Sequence, residues 1–186
     1  MDDAVRAAFA AVPRAGFLPR TERWRADFDG PIPIGHGQTN SQPRTVATML
    51  TLLDVRPGQR VLDVGSGSGW TTALLGQLVG PTGMVLGLEL EPDLAVWGAG
   101  NLSRAGAPQA SIRVAERGVL GAPAEGPWDR ILVSANAKTL PQALVDQLTP
   151  EGVMVIPVRG RMTRVVLEAG AARTTQHGPY LFVPLR

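Results

Sequence analysis

The 186-residue sequence predicts a doubly wound α/β fold, with a mostly parallel sheet of seven strands and helices on both faces. Three observations predict it. From Arg60 onward, short apolar runs alternate with helix-patterned segments. A glycine-rich turn, "VGSGSGW", joins the first of those runs to a helix. The last two apolar runs, "RVVLEA" and "YLFVPL", come with no helix pattern between them. Such alternation is that of βαβ units, whose parallel strands are buried on both faces. The closing pair predicts an antiparallel end to the sheet.

The elements follow in order. Val5, Ala8, Phe9 and Val12 recur at helical spacing ahead of Pro13, which predicts a short amphipathic helix that stops there. The next thirty residues or so, rich in Pro, Gly and Arg, read as an ordered but irregular lead-in. Val46, Met49, Leu50 and Leu53 repeat the helical spacing, so a second helix is expected from about Gln42 to Asp54, with Ser41 as its N-cap and Pro43 in its first turn. "RVLDVG" then reads as a buried strand, "WTTALLGQLVG" as a helix and "MVLGLEL" as a strand. "PDLAVWGAGNLSRAG" is a helix weakened by Gly98 and Gly100, followed by the strands "ASIRVA" and "WDRILVSA". "PQALVDQL" is a helix opened by Pro141, and "VMVIPV" is the fifth strand.

Composition excludes several classes of function. The chain has no cysteine, which removes disulfides, cysteine-ligated zinc and thiol catalysis together. His36 and His177 sit in unrelated contexts and make no metal site, so no metal is expected. The net charge is only +2, Lys138 is the sole lysine, and no basic run exceeds "RGRMTR", which argues against nucleic acid as a partner. No apolar run approaches the ~20 residues of a membrane span, and "MDDAVRAAFA" lacks a signal-peptide pattern, so a cytoplasmic location off the membrane is expected.

The turn "VLDVGSGSGW" is where a doubly wound sheet binds a nucleotide-like ligand. Glycines let the backbone turn sharply and approach the ligand, and the N–H groups of the helix start favour an anion. Gly65, Gly67 and Gly69 give G-x-G-x-G, with Trp70 following, rather than the G-x-G-x-x-G that cradles a dinucleotide pyrophosphate. A dehydrogenase is therefore disfavoured. Asp63 precedes the loop, and Glu89 ends the next strand, placed to accept both hydroxyls of a ribose. Strand, acid, glycines, helix, strand and terminal acid in this order resemble the motifs of Rossmann-like class I S-adenosylmethionine-dependent methyltransferases.

The acceptor must be read elsewhere, because fold and cofactor are shared across many substrates. "AVPRAGFLP", "DGPIPIGHGQTNSQPRTVATML", "VLDVGSGSGWTTALL", "DRILVSANAKTLPQALVDQL" and "GPYLFVPL", in this order, resemble protein-L-isoaspartate O-methyltransferases from about Val5 to Leu185. "GQTNSQP" is the most diagnostic piece. The resemblance implies methylation, by S-adenosylmethionine, of the α-carboxylate of L-isoaspartyl residues in damaged peptides or proteins. It makes Ser41 the active-site residue. Such an acceptor is ionised near neutral pH and needs no general base, only desolvation and orientation. Thr39, Ser41 and the N–H groups at the start of the second helix are expected to hold it.

For the cofactor, resemblance and residue geometry agree on Asp63 and the backbone of Gly65, Ser66, Gly67 and Gly69 around the methionine end, with Glu89 on the ribose. Trp70 reads equally as core or as contact. Gln38 and Gln42 read as loop-bracing amides, and His36 as a surface loop residue.

One departure stands out. Where the family has Gly-Asp-Gly beside the adenine, this chain has Glu116-Arg117-Gly118, so either Glu116 takes over or adenine is held by backbone and packing alone. Peptide recognition in the family draws on the C-terminal stretch, here Phe182 to Leu185. A single domain over 1–186 is expected, with N-terminal helices and substrate loop over 1–58 and the cofactor-binding sheet with its C-terminal strands over 59–186, acting as a monomer. Two rival readings keep the fold. One is a methyltransferase acting on another carboxylate, such as an aspartate in a biosynthetic peptide. The other is a non-catalytic member whose cofactor site Arg117 has abolished.

Overall fold

The computed structural model describes residues 2–186. In chain order its elements are α1 (Asp3–Ala11), β1 (Ile32–Gly35), β2 (Gln38–Asn40), α2 (Pro43–Leu53), β3 (Arg60–Val64), α3 (Trp70–Val79) and β4 (Met84–Glu89). There follow α4 (Pro92–Ala105), β5 (Ala110–Val114), β6 (Trp128–Val133), α5 (Gln142–Val145), β7 (Leu148–Val158), β8 (Arg161–Glu168) and β9 (Ala171–Pro179). Seven strands form one sheet in the order β5-β4-β3-β6-β7-β8-β9. Its first five members pair parallel and its last two join antiparallel, as the sequence predicts.

Successive residues of a strand point to opposite faces, and the core follows that rule. On β3, Val61 packs with α1, α2 and α3 on one face, while its neighbour Leu62 packs with α5 and Trp128 on the other. Both are fully buried. This two-sided burial is why the central strands read as continuous apolar runs. The chain leaves β3 toward β4 and β5, then crosses back to β6 on the other side of β3. That reversal opens a crevice at the carboxyl ends of these strands, the place where open α/β sheets bind ligands.

The lead-in is more regular than expected. It holds two 3-10 turns, Arg14–Phe17 and Arg20–Arg25, and then β1 and β2, which pair as a separate antiparallel hairpin. The hairpin turn runs through Gly35, His36 and Gly37, all with positive φ. Strands of four and three residues, one carrying Pro33, are too short to write a period into the sequence.

Ser41 is not the N-cap of α2. Gln42 occupies that position and makes no side-chain cap bond. Arg14 draws the Ser41 carbonyl back toward the hairpin with a 2.9 Å hydrogen bond. Pro43 has no N–H to satisfy, so the first exposed donor is the Arg44 N–H, which Asp29 accepts at 3.1 Å from a distant loop. A carboxylate of the protein thus already occupies this helix start. Gln42 and Gln38 do brace the loop, donating to the carbonyls of Asp29 at 2.9 Å and His36 at 3.2 Å.

Two corrections fall at the C-terminal half. The last strand is Ala171–Pro179, not "YLFVPL"; its side chains are mostly polar and exposed, so no apolar run marks it. Tyr180 to Leu185 instead forms an extended segment clamped by Asn136, whose N–H donates to the Val183 carbonyl at 2.7 Å and whose carbonyl accepts from the Leu185 N–H at 2.9 Å. The helix opened by Pro141 spans only Gln142–Val145.

Candidate active site

The loop between β3 and α3 turns on three glycines with positive φ: Gly65 at 83°, Gly67 at 52° and Gly69 at 88°. Glycine bears these values without the steric cost a Cβ imposes. The Gly65 and Ser66 N–H groups donate to the Leu88 carbonyl at 2.8 and 3.1 Å, pinning the loop to the end of β4. Helix α4 closes against its far side. A Cβ at Gly98 would lie 2.8 Å from the Gly67 carbonyl oxygen, so Gly98 permits a close approach of helix to loop rather than merely weakening the helix. Asn101, buried on the same helix, donates to the Ser68 carbonyl at 2.8 Å.

Glu89 ends β4 beside this loop and is buried. One carboxylate oxygen accepts the Gly67 N–H at 2.8 Å and the other the Glu91 N–H at 3.0 Å. An ionised carboxylate has about four acceptor positions, so Glu89 keeps acceptor capacity on both oxygens for further donors. Asp63 lies deeper, with none of its surface exposed. The Thr72 hydroxyl donates to its Oδ2 at 2.7 Å, and its Oδ1 has no partner. Burial pushes its carboxyl up to about 7; the Thr72 bond opposes that rise and the charge of Glu89 adds to it.

A cleft of about 1290 Å³ runs from the hairpin over the glycine loop to the loop after β5. Thr39 and Ser41 beside the hairpin, Gly65, Ser66 and Gly67 of the glycine loop, Glu89 at the end of β4, and Glu116 and Arg117 after β5 all line it. The structure therefore gathers six of the expected residues around one space. Asp63 and Gly69 are not among its walls: Asp63 sits within β3 beneath the loop, and Gly69 is turned toward Gly98 and Ile112. The segment from Tyr180 onward forms another wall. Asn136 takes the inward groups of Val183 and Leu185, and strand alternation turns the carbonyl of the intervening Pro184 the other way. At the mouth, Arg186 pairs with Glu91 at 2.6 Å, and that hydrogen bond, reinforced by the charges of Arg186, His36 and Arg117, holds the Glu91 carboxyl below its ordinary value. His36, at the hairpin tip, comes within 3.8 Å of both Glu91 and Asp93.

Sequence reasoning passed over two residues that tie the site together, Arg14 and Asn40. Arg14, only 5% exposed, donates to Asn40 Oδ1 at 2.7 Å and to the carbonyls of Phe28, Gly30, Asn40 and Ser41 at 2.8 to 3.1 Å. Its guanidinium also lies 5.4 Å from the ring of Trp70, which is buried and donates its indole N–H to the Val12 carbonyl at 3.1 Å. Asn40 in turn donates to the Ser68 hydroxyl at 3.1 Å. Their only signal in the sequence is that Arg14 falls in "AVPRAGFLP" and Asn40 beside Ser41.

A parallel sheet that reverses beside a glycine loop, with an acid closing the next strand and one cleft over both, defines a class I methyltransferase fold. The model of the protein-L-isoaspartate(D-aspartate) O-methyltransferase family matches residues 1–186, and the chain belongs to that family. The protein-L-isoaspartate O-methyltransferase of Methanopyrus kandleri is 44% identical over 186 residues, which span 97% of this chain and 82% of its own. That of Aeropyrum pernix is also 44% identical, over 96% of this chain and 70% of its own. A Plasmodium falciparum structure described as a protein-L-isoaspartate O-methyltransferase, in complex with S-adenosyl-L-homocysteine, matches with a TM-score of 0.85. It is 27% identical, covering 100% of this chain and 91% of that one.

Proposed function

We propose that this protein transfers the methyl group of S-adenosylmethionine to the α-carboxylate of L-isoaspartyl residues in peptides and proteins. It does so as a single-domain monomer in the cytoplasm, without nucleic acid or membrane. The observation that carries the reading is the shared cleft: the hairpin end bearing Thr39 and Ser41 opens onto the same space as the glycine loop and Glu89. The modest net charge is in keeping with a partner other than nucleic acid, and among the described residues no helix is long and apolar enough to cross a membrane.

The residues present fit the cofactor. Ser66 lines the cleft with a buried hydroxyl that has no partner, and Glu89 keeps acceptor capacity on both carboxylate oxygens. In this reading Gly65, Ser66 and Gly67 hold the methionine end and Glu89 the ribose hydroxyls, while Asp63 and Gly69 support the loop from behind. When bound, S-adenosylmethionine supplies a methyl on a cationic sulfur, which departs as a neutral thioether as the carboxylate oxygen forms its new C–O bond. No proton moves, and among the described residues the cleft wall holds neither histidine nor lysine. Ser41 and Thr39 orient the acceptor carboxylate by hydrogen bonding, since Asp29 already caps the start of α2. Glu116 and Arg117 flank the adenine end, where Glu116 supplies the acceptor group that Arg117 lacks.

The test is methyl transfer from labelled S-adenosylmethionine to paired peptides that differ only in isoaspartyl versus aspartyl linkage, read as base-labile ester. Ester on the isoaspartyl peptide alone is expected. Ester on neither, with cofactor still bound, would send the acceptor assignment to another carboxylate.

Ser41→Ala is expected to lower kcat about 100-fold, the scale of losing one oriented hydrogen-bond donor in an active site, with S-adenosylhomocysteine affinity kept. Unchanged transfer would remove Ser41 from the site. Glu89→Ala is expected to weaken S-adenosylhomocysteine by more than about 100-fold by calorimetry, as losing two hydrogen bonds to a charged group implies. An unaltered affinity would remove Glu89 instead.

A further inference from the structure

Resting on the reading above, we propose that the Asn40–Ser68 hydrogen bond couples the acceptor hairpin to the cofactor loop. Arg14 and Asn40 are then positioning residues, and cofactor binding orders the segment that holds the peptide.

The hairpin is a separate two-stranded sheet, so no strand pairing fixes it to the main one. It meets the glycine loop at two points. Asn40 Nδ2 donates to Ser68 Oγ at 3.1 Å, and the Ile34 Cδ1 methyl lies 3.2 Å from where a Cβ on Gly67 would be. Both partners of the polar contact are buried. The orientation of the Asn40 amide is not free, because Arg14 Nε holds its oxygen at 2.7 Å and so turns its NH₂ toward Ser68.

Arg14 extends the link to the acceptor residue. The same guanidinium nitrogen that bonds the Asn40 carbonyl at 3.1 Å also bonds the Ser41 carbonyl at 2.9 Å. On the other side, Ser68 sits one residue from Gly67, whose N–H is held by Glu89, and its own carbonyl is held by Asn101. A ligand that engages Glu89 and Gly67 therefore sets the position of Ser68, and Ser68 sets Asn40, whose backbone continues directly into Ser41. Linkage makes the effect reciprocal: a bound peptide that orders the hairpin must tighten the cofactor by the same factor. Continuity of contacts alone does not establish coupling, so the contact is tested by its removal.

Amide hydrogen exchange with and without S-adenosylhomocysteine reads the link without reference to the acceptor. In the unaltered protein, S-adenosylhomocysteine is expected to slow exchange both in the glycine loop and across residues 32–42. Ser68→Ala leaves every Arg14 bond in place. It should cut the slowing in the hairpin about fivefold, the equivalent of one buried neutral hydrogen bond, while the slowing in the glycine loop persists. Asn40→Ala, which also removes the acceptor of Arg14 Nε, should give at least that loss, and adding Ser68→Ala to it no further loss. Hairpin protection that is absent from the unaltered protein, or unchanged in Ser68→Ala, would overturn the proposal. If Asn40→Ala fails to fold, Ser68→Ala alone decides. The acceptor reading fails separately, by absence of ester on the isoaspartyl peptide, and leaves the exchange result standing.

Discussion

Arg14→Leu is expected to cost the fold about 3–5 kcal/mol, the scale of removing one partner from a buried charged network. The side chain sits among oxygens rather than beside a carboxylate: five backbone carbonyls, from Ala26, Phe28, Gly30, Asn40 and Ser41, and the side-chain oxygen of Asn40. Burial lowers its pKa from the ordinary arginine range to about 10; the charge of Asp29 resists that fall and Arg25 adds to it. The group thus remains cationic at neutral pH, and the carbonyl dipoles are what compensate its desolvation. Leucine would fill part of the volume and take a donor from each of those oxygens; the Phe28 carbonyl keeps the Gly30 N–H at 2.9 Å, and each one left buried with no other donor costs roughly 1–3 kcal/mol. Urea unfolding should show a midpoint shift with little change in slope. Arg14→Lys should recover only part of the loss, because an ammonium offers three donors and no planar fork. A Leu variant within about 0.5 kcal/mol of the parent, the range of an ordinary surface change, would mean that water satisfies the same carbonyls.

Arg14 also marks the limit of what the sequence made legible. Its acceptors lie between 12 and 27 residues away along the chain, so no local period announces an arginine that folds inward. By contrast, β3, β4 and β6 were legible because burial on both faces writes an unbroken apolar run. The position of Glu89 in the cleft wall was legible because a strand end after a glycine loop is a fixed place in this architecture. The hairpin was hidden by its brevity and β9 by its polar, exposed side chains. Ser41 as a cap followed a sound local rule that a tertiary contact overrode, since Arg14 holds its carbonyl and Asp29 takes the helix donor. Asp63 was found by its place in the motif, but its depth beneath the loop depends on packing that the motif does not encode.

That depth gives Asp63→Asn a pH-dependent signature. An aspartate titrates near 3.8 in the unfolded chain and at about 7 here. Between those values the native state holds a proton the unfolded state has released, so this group's contribution to stability falls as pH rises from about 4 to about 7. Above that window the full cost, about 4 kcal/mol for a shift of some three units, is in place. Asparagine does not titrate and still offers Thr72 an acceptor oxygen. The variant should therefore match or fall slightly below the parent at pH 4 and exceed it in stability at pH 8, by urea midpoint. A difference that does not change with pH would rule out the buried charge as its source. A protein keeps a group this unfavourable where the charge has use, and a carboxylate with one unpartnered oxygen beneath the glycine loop favours a cation above it. At pH 8, Asp63→Asn should lose more affinity for S-adenosylmethionine, with its cationic sulfur, than for the neutral-sulfur S-adenosylhomocysteine. Equal losses would mean that Asp63 acts only by holding Thr72 and the geometry of the loop.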